Sequence, residues 1–166
     1  MRNHFRAKVL YMTVQDPEVI QLRGEARSML STPLCEFLRE RALNVLFDDW
    51  AMSCLWRGYV GTWEVLDGRL YLVHLGGWLK DGTGASIQTV FPSSEGPIFA
   101  DWFTGVLRIP DGELICEAVG GFDHQYERDI FLAVERGVIV REEMVHHEVV
   151  RPHRVKPSLE DRFPDD

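Results

Sequence analysis

The metal-capable side chains His146, His147, Glu148 and His153 crowd the stretch EMVHHEVVRPH. Extended backbone sends His146 and His147 to opposite faces, so one ion cannot take both. No helical His-x-x-x-His pair supplies the converging geometry that zinc needs. The stretch reads as surface histidines at a strand end, and no metal site is expected. Asp101 is a second candidate for chemistry. If IFADWFTGVLRI runs as one strand, Asp101 shares a face with Phe99, Phe103, Leu107 and Ile109. A carboxylate there is costly unless paired or hydrogen-bonded, and such burial is how pockets perturb an acid. A bulge or the preceding Gly-Pro loop would re-aim it instead. Together with Trp102 and His74, Asp101 defines one candidate site for a small ligand or an enzyme reaction.

A third group, Asp123, His124 and Glu127 in VGGFDHQYERD, offers acid and base side chains in what reads as a solvated loop. The chain carries no G-x-S-x-G elbow, no Walker loop and no G-x-G-x-x-G. Gly76, Gly77, Gly82 and Gly84 lack the flanking lysine of a phosphate site and read as turn formers. No catalytic residue and no cofactor is therefore expected. Binding needs less than catalysis: shape, aromatic anchors and complementary charge suffice. The net charge of -8 argues against nucleic acid, since phosphate neutralisation requires clustered Lys and Arg. It favours a basic protein partner. The expected docking residues are the acids Asp123, Glu127 and Asp129 beside Phe122 and Tyr126. The most concrete version is an immunity-type inhibitor that neutralises a toxin or enzyme by contact.

Those residues need a scaffold, and the pattern of turns supplies one. KVLYMTV (Lys8 to Val14) is strand-like, and Arg23-Gly24 separates two strand-like halves of EVIQLRGEARSML. Pro33 suits a first helical position, with Ser31 or Thr32 as cap, and Leu34, Phe37, Leu38 and Ala42 on one face. The main helix is expected near residues 33–43, with Asn44 as its stop. Asp67-Gly68 predicts a two-residue hairpin that sets Val65 opposite Leu70 and Trp63 opposite Leu72. One face then holds Tyr59, Trp63, Val65, Leu70 and Leu72, with His74 at its end. Asp111-Gly112 predicts another hairpin, pairing Ile109 with Leu114 and Leu107 with Cys116, and Arg136-Gly137 a third. The expected fold is α+β and mainly antiparallel β, a sheet or partly open barrel built from successive hairpins.

Gly61-Thr62-Trp63 also matches the Gly-x-Trp of lipocalin-type barrels. The chain after it barely suffices for eight strands, and the sixty residues before it would be an unexplained extension. Trp63 is accounted for as a core residue instead.

The blocks CLWRGYVGTWEVLDGRLYLVHL and PIFADWFTGVLRIPDGEL resemble a set of small, uncharacterised bacterial proteins that share WRGY-x-x-TWE and VFADWF-x-G segments. The resemblance spans roughly Cys54 to Val140. It implies a bacterial, cytoplasmic setting and carries no activity with it. Cys35, Cys54 and Cys116 are odd in number and widely spaced, in keeping with reduced thiols in a cytosolic protein. No stretch approaches the roughly 20 apolar residues of a membrane helix, and the N-terminus lacks signal-peptide features. The expected organisation is one domain over residues 1–150 and an extended charged tail over 151–166, where three prolines and few apolar residues oppose packing.

Overall fold

The computed structural model describes residues 14–49, 52, 54–117 and 121–148. The strand expected over Lys8 to Val14, His153 and the tail over 151–166 lie outside these residues, apart from Val14, which bridges Gly121. Strands β1 (Glu18–Leu22) and β2 (Glu25–Met29) form the expected hairpin. Arg23 and Gly24 both take left-handed backbone, as such a turn requires.

Helix α1 (Cys35–Glu40) is shorter than the expected 33–43 span. Neither Ser31 nor Thr32 caps it with a side chain. Leu34 is the N-cap, and the Thr32 backbone carbonyl accepts from the Cys35 amide at 3.1 Å. The Ser31 hydroxyl is engaged elsewhere, accepting from the Arg108 amide at 2.8 Å. Ala42 turns left-handed and ends the helix before Asn44, and Asn44–Leu46 form a 3-10 turn.

Strands β3 (Tyr59–Leu66) and β4 (Arg69–Gly77) pair around Asp67-Gly68 with Val65 opposite Leu70 and Trp63 opposite Leu72. The register then shifts, and Thr62 faces His74 with Val73 as the extra residue. A one-residue slip reverses the faces. Leu75 is therefore buried, while His74, expected at the end of the apolar face, is exposed.

Short helix α2 (Ile87–Val90) and strand β5 (Ile98–Phe99) lead to β6 (Gly105–Cys116). β6 is one continuous strand, so the hairpin expected at Asp111-Gly112 does not exist. Its partner is β7 (Gln125–Glu135), with Leu107 opposite Leu132 and Ile109 opposite Ile130. Asp111-Gly112 instead forms a bulge in which Gly112 has φ +83°. An Asp-Gly pair suits either feature, because both need left-handed backbone at glycine. The Arg136-Gly137 hairpin joins β7 to β8 (Val138–His146) as expected.

The eight strands make one sheet in the order β2-β1-β3-β4-β8-β7-β6, with β5 on β4. It is mixed, because β1 runs parallel to β3, and antiparallel pairs dominate. The two halves meet where the turn tips clasp: Leu70 N donates to Gly137 O and Ile139 N to Gly68 O, both at 2.8 Å. The sheet curls until the Leu30 amide beyond β2 reaches Arg108 O of β6 at 2.8 Å, and it does not close. Its concave face encloses one core, including Ile20, Trp63, Leu72, Leu107, Ile109 and Leu132. Each such side chain contributes roughly 1.5–3 kcal/mol by leaving water. Helix α1 closes one side through Phe37, which lies 4.7 Å from Trp102, itself stacked 5.4 Å from Phe91.

Among the described residues no helix is long and apolar enough to cross a membrane. Cys35 and Cys54 are half-buried, Cys116 is exposed, and all three are free. A thiol titration of denatured, unreduced protein should accordingly count three, and a count of one would contradict this arrangement.

Candidate functional site

The first residue of β1 carries the most deeply buried charged side chain among the described residues. Strand alternation puts Glu18 on the same face as Ile20 and Leu22, and its side chain is 0% exposed. Burial pushes its carboxyl up to about 7, opposed by the charge of Arg57 and by hydrogen bonds from the Trp63 indole and the Gly61 backbone. Trp63 Nε1 donates to Glu18 Oε2, and Arg57 Nε lies 3.3 Å from Glu18 Oε1. Arg57 is itself almost buried and donates through Nη2 to the Asp16 carbonyl at 2.9 Å. Its guanidinium carbon stands 5.5 Å from the Tyr59 ring centroid and 5.9 Å from that of Phe122.

Gly61 explains the Gly-x-Trp spacing in physical terms. Tyr59, Gly61 and Trp63 share the inner face of β3. A Cβ on Gly61 would lie 2.7 Å from Trp63 Nε1 and 2.8 Å from Glu18 Oε2. The glycine leaves room for the buried acid and its indole donor.

Tyr59 is 2% exposed, and its hydroxyl has no hydrogen-bond partner in the described structure. Burial, then the charge of Glu18, push its phenol well above the ordinary tyrosine range. It forms part of a cleft of about 270 Å³ lined also by Leu38, Arg39, Asn44, Asp49, Trp56 and Arg57. Glu18 is not among the residues that line the cleft, so it acts there through Arg57, which it holds in place together with Trp63.

Beside the cleft, segments 46–48 and 78–80 run antiparallel. Phe47 bridges Leu79, the Asp48 amide donates to Trp78 O at 2.8 Å, and the Lys80 amide donates to Leu46 O at 3.0 Å. Phe47 points into the core, and its neighbours point out. Trp78 is 53% exposed, with Val45, Leu46 and Trp56 also exposed. Asp49 and Asp81 add negative charge, and the Thr83 hydroxyl and amide hold the Asp81 carboxyl below its usual range.

The docking residues expected from the sequence do not form one open acidic surface. Asp123 is exposed, while Phe122 and Tyr126 are half-buried. Glu127 accepts from the Glu113 amide at 3.1 Å. Asp129 is 1% exposed, with Arg108 Nη2 and His147 Nε2 each 3.0 Å from its Oδ2. Alternation with Ile130 and Leu132 would leave Asp129 outside, but Arg108 draws the Phe122 and His124 carbonyls over it at 3.0 and 2.7 Å. His146 and Glu148 are exposed, and among the described residues no group of three His, Cys, Asp or Glu converges on a metal position.

Asp101, Trp102 and His74 have three different surroundings. β5 ends at Phe99, so Asp101 sits in an exposed turn instead of on a continuous strand. Trp102 belongs to the aromatic cluster with its Nε1 donating to Pro33 O at 3.1 Å. His74 lines a separate depression with Gln88 and Glu95. The sequence reading missed Glu18 and Arg57, although Glu18 lies in register with two apolar strand residues. No protein-family model, curated protein or solved structure matches the chain.

Proposed function

We propose that the protein is a non-catalytic binding protein that docks a basic protein partner, in its most concrete form an immunity-type inhibitor of a toxin or enzyme. The observation that carries this reading is exposed Leu46 and Trp78 on a hydrogen-bonded ladder that also bears Lys80, with Val45 and Trp56 exposed in the adjoining segments and Asp49 and Asp81 next to the ladder in sequence. Contiguous apolar surface rimmed by polar groups is the usual form of a protein contact site, and Trp is enriched among its energetic anchors. The net charge of -8 supports attraction of a basic partner.

Rim charges act mainly on association and buried anchors on dissociation. Reversing Asp49 and Asp81 to lysine should therefore slow association and flatten its salt dependence, as measured by surface plasmon resonance against the captured partner. The wild-type rate should fall steeply with added salt, since the screening length drops from about 10 Å at 0.1 M to about 3 Å at 1 M. An association rate indifferent to salt and to both reversals would reject this face.

A further inference from the structure

We propose that the cleft beneath Trp56 is a binding site for a small organic carboxylate with a flat apolar body. This goes beyond protein docking and does not depend on it. The cleft, about 270 Å³, is just below the roughly 300 Å³ at which pockets begin to hold drug-sized molecules, which limits the ligand to a small metabolite. Arg39, paired with Glu36 at 2.8 Å, and Arg57, beside Glu18, both line it, and guanidinium forks match carboxylate geometry. The Tyr59 hydroxyl is buried without a partner in the described structure, and Tyr59 lines the cleft together with Cys35, Arg39 and Arg57. A buried hydroxyl lacking an acceptor is costly, and a ligand oxygen seated there supplies one. Leu38 offers an apolar wall, and the half-exposed Trp56 indole offers a stacking face. Asp49 at the same cleft disfavours a second negative charge, so a monoanion fits better than a dianion.

Glu18 couples this site to protons. Arg57 faces it from the segment before β3, the Trp63 indole N–H and Gly61 backbone from β3, and the charge of Glu18 acts on Tyr59, which lines the cleft with Arg39 and Cys35 of α1. An arriving anion shares Arg57 with Glu18, so the ionised acid opposes binding and protonated Glu18 permits it. Affinity should rise as pH falls through neutrality.

The test is isothermal titration of the full chain with sodium phenylacetate and, separately, phenethylamine, at pH 6 and pH 8. Saturable binding of phenylacetate, tighter at pH 6, with none of the amine, is expected. Arg39→Gln and Tyr59→Phe should each weaken it about tenfold, the scale of one charge-assisted hydrogen bond. Arg39 is exposed and Tyr59→Phe keeps the ring, so both variants should melt like the wild type. Absence of saturation by phenylacetate at pH 6, equal binding of the amine, or an unchanged affinity in a folded Tyr59→Phe would each overturn the proposal.

Discussion

Gly61→Ala should destabilise the protein by roughly 3 kcal/mol, against a total stability of about 5–15 kcal/mol for an average domain. The sign is the informative part. At a strand position with room for a methyl group, alanine in place of glycine gains about 0.4–1 kcal/mol by restricting the unfolded chain. Here the new Cβ would fall 2.7 Å from Trp63 Nε1 and 2.8 Å from Glu18 Oε2. One of the two must shift, and the shift is costly because Trp63 and Glu18 are both fully buried among close-packed neighbours. The methyl group therefore separates the indole from the carboxylate and leaves a buried acid without its donor. Urea unfolding of the two proteins at pH 6 measures the difference. A loss below about 0.5 kcal/mol, the scale of a neutral surface change, would mean the acid and indole are not held as described.

Stability should fall as pH rises from about 4.5 to about 7. Folded Glu18 holds its proton up to about 7, whereas the unfolded chain releases it near the ordinary 4.5. Across that interval the native state binds more protons than the unfolded state, so each step upward in pH favours unfolding. The full effect is about 3 kcal/mol. Asp111 works in the opposite direction and in a different window. Arg128 and Arg27 hold its carboxyl low, so its contribution is present above the ordinary carboxylate range and lost only on further acidification. Glu18→Gln retains an acceptor for Trp63 and removes the titration, so its stability should vary little between pH 5 and 7. Urea midpoints at pH 5, 6, 7 and 8 for both proteins decide it. An equal slope in Glu18→Gln would assign the pH dependence to another group.

Much of the fold is legible in local turn chemistry. Arg23-Gly24, Asp67-Gly68 and Arg136-Gly137 each join strands at the expected place, because positive φ at consecutive residues suits few structures other than a tight hairpin. Asp111-Gly112 shows where such reasoning runs out. Its glycine is left-handed either way, and only the distant strand β7, pairing across the bulge, decides against a turn. The parallel contact of β1 with β3 is likewise a long-range choice with no local signature. The site was partly within reach. The parity that flags Asp101 applies with equal force to Glu18, where the Arg23-Gly24 turn fixes the faces of β1 and the strand is continuous. Asp101 escapes because its strand stops two residues earlier. Arg57 gives no such signal, since it approaches from an irregular segment. Asp129 is buried by a loop folded over the outer face, which strand alternation does not encode.

The proposed mode of action rests on the face bearing Trp78 and Trp56, and one comparison tests it directly. Wild-type protein and a Trp56→Ala, Trp78→Ala double variant are immobilised at equal density, and retention of a basic protein from the native host is measured quantitatively. Both side chains are partly exposed at 44% and 53%, so the variant should keep the wild-type melting temperature within a few degrees. Loss of two aromatic anchors should weaken retention at least a hundredfold, the equivalent of about 3 kcal/mol. Retention of the same partner by a folded double variant at wild-type affinity would contradict the assignment of this face.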